Sequence, residues 1–240
     1  MHTRVYIDGF NLYYGLIRKY RLHWLDLEKF SERLNLGQPV DRIIYCTAMV
    51  SSTKDDPDKA NRQYVYLQAV RAACPTVEVV LGAFTKHIKL QPVAGCNNAP
   101  TCAMSVWVRN EKGSDVNLAT RLVHDAHLDR FDKAIVVSGD TDLVEPIRIV
   151  VTEVGKVVWV RNPYWRESKE LRAVASDYRE IRPAVPRNSQ FPDPVIDGTK
   201  SIQKPHVWSG PRPKLSKCEI TVGKCQQSGC SNPITTLRYQ

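Results

Sequence analysis

Four aspartates in this chain stand where a carboxylate is unusual. Asp8 closes the apolar run "TRVYID", Asp115 opens "SDVNLATRLVHDAHLDR", and Asp140 and Asp142 follow the apolar run "KAIVVS" within "SGDTDL". Gathered together, such side chains repel one another, and their pKa values rise unless a cation sits among them. A hard divalent ion is the simplest remedy, because Mg²⁺ or Mn²⁺ takes carboxylate oxygens and keeps several waters. Such an ion activates water and offsets charge on a phosphoryl group, so the chemistry expected of the cluster is phosphodiester hydrolysis. Asn11 and Ser138 are the neutral polar residues expected to orient water or the carboxylates. Lys112, and more weakly Arg62 and Lys59, are candidate phosphate contacts. Taken singly, each aspartate also fits a helix cap or a turn.

The elements around these residues explain why they should converge. Residues 3–181 alternate strand-like stretches ("TRVYID", "RIIYCTAMV", "VEVVLGAFT", "KAIVVS", "KVVWVRN") with helix-like ones, and "MSVWVRN" reads as a further extended piece. Such alternation implies an α/β fold: a doubly wound, mostly parallel sheet with helices on both faces. In that arrangement strand C-termini and helix N-termini share one edge, where ligands bind. Asp8, Asp140 and Asp142 follow strands and Asp115 begins a helix, so topology alone assigns all four to that edge. Asp115 also shares a helical face with Ala119 and Leu122, turned toward the sheet. "SKELRAVASDYREI" reads as a last helix.

The expected domain covers residues 1–183. A Pro-rich extended arm (184–208) and a basic, disordered tail (209–240) are expected beyond it, since eight of the 15 prolines lie from Pro183 onward. Net charge is +9, of which eight Lys/Arg and three Asp/Glu from Pro186 onward contribute +5. A basic tail suits a polyanion and, with Lys214, Lys217 and Lys224, a weak salt-sensitive attraction to RNA. The seven cysteines do not have the spacing of a disulfide framework. Cys46 and Cys74 read as small buried residues, and Cys218, Cys225 and Cys230 lack the tight pairs of a structural zinc site. No stretch approaches the roughly 18–20 apolar residues of a membrane helix. "MHTRVYID" does not resemble a secretion signal, so the expected location is cytoplasmic.

The motifs "YIDGFNLYYG", "EKGSDVNLA" and "SGDTDLVEPIR", in that order, resemble the LabA-like branch of the NYN-domain family, within the PIN-like nucleases. The likeness runs over roughly residues 3–208 and includes "SKELRAVASDYREIRP". It implies a Mg²⁺- or Mn²⁺-dependent ribonuclease acting on RNA, single-stranded by expectation. The first-strand aspartate falls on Asp8, its asparagine on Asn11, the "KGxD" aspartate on Asp115, and the "S-x-D-x-D" pair on Asp140 and Asp142 after Ser138. Cys96 and Cys102, in "PVAGCNNAPTCAMS", and everything after Trp208 depart from the pattern. No histidine stands at these motifs as a general base, which leaves the metal to carry the chemistry. The alternative is a non-catalytic RNA-binding or regulatory module on the same fold. A haloacid-dehalogenase-like phosphohydrolase is disfavoured by Phe10, and a dinucleotide enzyme by the missing G-x-G-x-x-G. A homo-oligomer is left open.

Overall fold

The computed structural model describes residues 1–92, 103–209, 222–224 and 233–235. Cys96, Cys102, Cys218, Cys225 and Cys230 lie outside the described residues. Seven strands form one sheet: β1 (Thr3–Asp8), β2 (Arg42–Ala48), β3 (Val77–Pro92), β4 (Ala103–Lys112), β5 (Lys133–Val137), β6 (Val157–Asn162) and β7 (Asp177–Glu180). Their order is β4-β3-β2-β1-β5-β6-β7. Six strands are parallel, and β4 returns antiparallel along the long edge strand β3. Chain order reverses direction at β1, between β2 and β5, which is the switch point where α/β sheets bind ligands.

Alternation along the strands divides the core into two layers. Val5 and Ile7 join Ile43, Ile135 and Val137 beneath the helices Leu27–Leu34 and Lys59–Ala73 and the helical run 9–20. Tyr6 joins Ile44, Val136, Val158 and Val160 beneath the helix Ser114–His127 and the helical run 141–153. All five residues of β5 are buried, as the apolar run Ala134–Val137 predicts for a central parallel strand, and Lys133 is buried with its Nζ donating to Asn35 Oδ1.

The last segment corrects one expectation. The helix Lys169–Val174 is short, and Asp177–Glu180 forms β7, parallel to β6. Tyr178 is the side chain this strand buries. Its hydroxyl accepts from Asn162 Nδ2 at 2.6 Å and from Ser168 N at 3.0 Å, so three consecutive elements meet on one phenol.

Met1–Trp208 forms one compact unit, which therefore continues past residue 183. Beyond that point Phe191 N donates to Trp24 O (2.9 Å), Trp24 Nε1 to Pro192 O (2.9 Å) and Arg21 Nη2 to Val207 O (2.8 Å). Ser209–Gln240 is a second unit, in which Val222–Lys224 pairs antiparallel with Pro233–Thr235. Among the described residues no helix is long and apolar enough to cross a membrane. Cys46 and Cys74 are buried free thiols.

One buried charge ties the helix carrying Asp115 to the strand carrying Asp8. The Asp125 carboxylate, 2% exposed, accepts from Arg4 Nη1 (2.7 Å), Tyr6 Oη (2.8 Å) and Arg130 Nη1 (2.9 Å). Burial works against its charge, but the hydrogen bonds from Tyr6, Arg130 and Arg4 outweigh it and hold the carboxyl below the usual range. Asp125→Asn should therefore cost about 1–3 kcal/mol at neutral pH. That loss should shrink below about pH 4, because a carboxyl with a lowered folded-state pKa gives up its stabilisation as acid protonates it. Urea unfolding of both proteins at neutral and acid pH measures the difference.

Candidate functional site

The site lies where β1 and β5 end side by side. Ile7 pairs with Val137, so Asp8 and Ser138 leave the sheet together. Asp8 is 1% exposed, and both of its oxygens are in use. Oδ1 caps the helical run 9–20, accepting from Phe10 N (3.1 Å) and Asn11 N (2.9 Å). Oδ2 accepts from Asn11 Nδ2 (2.5 Å) and Ser138 Oγ (3.0 Å). Ser138 Oγ accepts in turn from Asp140 N at 3.1 Å, and Asp140 Oδ1 caps the next helical run by accepting from Asp142 N at 3.0 Å. Asn11 Oδ1 accepts from Gly139 N at 3.2 Å, closing the loop. Asn11 and Ser138 are thus hydrogen-bonded both to Asp8 and to the turn that carries Asp140.

Two glycines permit this closeness. A Cβ on Gly9 would stand 2.8 Å from Cys46 O, and one on Gly139 would stand 2.6 Å from Asn162 Oδ1. Any larger residue would push the helical run off β2, or the Ser138–Asp140 turn off β6.

Burial pushes the Asp8 carboxyl upward, and the Asp140 charge adds to this against the hydrogen bonds from Asn11 and Ser138. All four hydrogen bonds described at Asp8 come from neutral groups. Burial pushes the Cys46 thiol up to about 12, with the charges of Asp8 and then Asp115 acting on it. Asp8 and Cys46 are paired in register, so Asp115 shares its electrostatic neighbourhood with Asp8. Asp115 is half-buried in the first turn of its helix, beside the buried Leu118 and Leu122.

Two other expected residues stand farther out. Asp142 is exposed on the rim, and Lys112 is exposed at the end of β4. Arg62 is not part of this group. It forms an ion pair with Asp56 and lines a cavity under the helix Lys59–Ala73, on the Val5–Ile7 face of the sheet. Strand alternation sends the Asp8 side chain to the other face.

The four-carboxylate cluster is not assembled as a cage. Among the described residues no three His, Cys, Asp or Glu side chains are close enough to share an ion. Asp8 would also have to exchange a neutral donor for a cation. The donors present are all hard oxygens on one or two carboxylates. Oxygen donors of this kind fit a hard divalent cation that keeps several waters.

Tyr164 is a further group at this edge. Burial raises its phenol, and the Asp8 and Asp140 charges raise it further. Asn162 Oδ1 holds the Tyr164 backbone N–H at 2.9 Å. The signal was available in "VRNPYW", since β6 exits on the same edge as β1 and β5.

Residues 2–182 match the NYN domain. The chain is 29% identical over 243 aligned positions to a protein from Pseudomonas putida (strain DSM 28022 / S16) named 6-hydroxy-3-succinoylpyridine 3-monooxygenase HspA, covering 90% of this chain and 77% of that protein. A solved structure of a protein of unknown function from Vibrio parahaemolyticus RIMD 2210633 is similar at 20% identity and a TM-score of 0.47, over 75% of this chain and 93% of that one. With its match spanning β1 through β7 and the acidic edge between them, the chain belongs to the NYN domain family.

Proposed function

We propose that this chain, as a LabA-like NYN protein, is a metal-dependent ribonuclease that hydrolyses single-stranded RNA in the cytoplasm. NYN domains have a PIN-like nuclease fold and are generally nucleases, and a divalent metal is usual among them. The observation carrying the proposal is the Asp8–Ser138–Asp140 chain at the switch point, a buried acid whose donors among the described residues are all neutral, beside a second carboxylate.

Asp8 and Asp140 would hold Mg²⁺ or Mn²⁺, with Asp115 and Asp142 reaching it through water. When bound, the ion supplies an activated water and compensates charge on the phosphoryl group. The chain's own residues set the stage for this. Asn11 and Ser138 fix the orientation of Asp8. The Ser138–Asp140 turn, held by Gly139 N on Asn11, keeps the second carboxylate facing the edge. Lys112, exposed nearby in sequence to Asp115, would meet a backbone phosphate and help hold the strand.

Incubation with mixed RNA and single-stranded DNA, with Mn²⁺ or Mg²⁺ and with chelator, tests the proposal. Metal-dependent cleavage of RNA is expected, and intact RNA under every metal would defeat it. One observation favours a second reading. A relative aligned over 90% of this chain is named as a monooxygenase of a substituted pyridine, which points to a small heteroaromatic acid as substrate.

A further inference from the structure

The helical run 9–20, the helix Lys59–Ala73 and the turn His206–Trp208 enclose a cavity of about 150 Å³ on the Val5–Ile7 face of the sheet. That is the size of an apolar cavity that accepts one benzene ring. Several of its walls are rings, among them Phe10, Tyr13, Tyr45, Tyr66 and Trp208, with Leu12, Ile17, Leu25 and Val50 between them. His23 stands among them, stacked on Trp208 with centroids 5.1 Å apart and planes 12° apart.

Three features distinguish this space from a packing defect. First, the buried His23 Nδ1 makes no hydrogen bond of normal geometry among the described residues, although the Arg21 backbone lies close to the ring. Buried polar atoms are nearly always satisfied, by protein, water or ligand. Second, burial, with the charge of Arg21 next, pushes the His23 imidazole down to about 4, so at neutral pH the ring is uncharged and offers a polar edge without a competing charge. Third, the polar border is asymmetric. Lys59 and Arg62 line it against one carboxylate, Asp56, which already pairs with Arg62. Lys59 is half-buried and has no ion pair among the described residues.

We infer that this cavity is a binding site for a single six-membered aromatic ring carrying a carboxylate, with the ring against the Tyr13, Tyr66 and Trp208 walls and the carboxylate toward Lys59. Aromatic walls favour a flat ring over an aliphatic one through stacked and edge contacts. The unpaired ammonium selects an anion over a neutral amide. Trp208 closes the space from the C-terminal end of the unit, fixed by the Arg21 bond to Val207 O. The cavity shares the Gly9–Phe10 segment with the Asp8 site, but Asp140 is not among its walls, so Asp140→Asn should leave ring binding intact and failure of either site does not decide the other.

The test is titration of benzoate and nicotinate into the full chain, followed by tryptophan fluorescence and by ligand-observed NMR. Benzamide, cyclohexanecarboxylate and acetate serve as controls. Binding of the two ring acids with Kd on the order of 1 mM or tighter is expected, the range for a ligand of so few atoms. Lys59→Gln should weaken it about tenfold. This substitution removes no described ion pair and should leave the fold intact, which the unchanged far-UV spectrum would verify. Absence of ring-acid binding to the wild type overturns the site. Benzamide or acetate binding as tightly as benzoate also overturns it, as does a Lys59→Gln protein with unchanged affinity.

Discussion

Asp140→Asn is expected to lower RNA cleavage by about 10²- to 10³-fold, equivalent to losing ~3–4 kcal/mol of transition-state stabilisation. The substitution is nearly isosteric. The Asn carbonyl can still accept from Asp142 N, so the cap of the following helical run survives. The Asp140 backbone N–H, which donates to Ser138 Oγ, is untouched. What disappears is one of two adjacent negative charges, and with it the stronger claim of this edge on a divalent ion. Stability should change little or even rise, because the Asp140 charge is among the influences that disfavour ionised Asp8. RNA retention in gel-shift assays should persist, since phosphate contacts come from cationic side chains. Equal cleavage by mutant and wild type would transfer support to the non-catalytic RNA-binding module.

Trp24→Ala should produce the largest loss of stability, about 3–5 kcal/mol by the usual cost of emptying a buried tryptophan position. Trp24 is 1% exposed and packs near Tyr66, Phe191 and Trp208 with ring centroids 6.4, 5.9 and 6.3 Å away. Its indole N–H is one of the bonds holding residues 190–208 to the domain, and its carbonyl accepts from Phe191 N. Truncation thus removes packing and also loosens the segment that carries Trp208. For a unit of this size the melting temperature should fall by roughly 6–20 °C. Limited proteolysis should then cut after residue 183 before it cuts elsewhere in the unit. Trp165, 79% exposed, is the control, and Trp165→Ala should stay within about 0.5 kcal/mol of wild type.

The parallel sheet was legible because its central strands carry their burial on the surface of the sequence. Ala134–Val137 is apolar at every position, and all of β5 is buried, Lys133 included. β7 was not, because an edge strand needs few inward residues. In "DYRE" only Tyr178 is buried, and the segment follows a helix without a glycine or proline to mark the break. The helix Lys59–Ala73 shows another limit. Tyr64 stands at helical spacing with the buried Leu67 yet is 50% exposed, and it is Tyr66 that turns inward to donate to Leu25 O at 2.9 Å.

The edge assignment of Asp8, Asn11, Ser138 and Asp140 was likewise legible, because strand ends and helix starts fix where backbone exits lie. Side-chain direction was harder to read. Asp140 is committed to capping and Asp142 faces solvent, so neighbours in sequence have different uses. Asn162 and Tyr164 carry no acidic motif to mark them, although β6 ends on the same edge. The ring-lined cavity was beyond reach of local reading, since it joins Tyr13 and His23 to Trp208, which only the folded chain brings together.

Mn²⁺ titration monitored by electron paramagnetic resonance, with wild type and Asp140→Asn in parallel and RNA cleavage followed in the same samples, tests the acidic edge most directly. Wild type should bind Mn²⁺ with an occupancy that tracks the cleavage rate, and the mutant should lose both together. Cleavage that persists with chelator, or Mn²⁺ bound equally by the mutant, would contradict a catalytic ion held by Asp8 and Asp140.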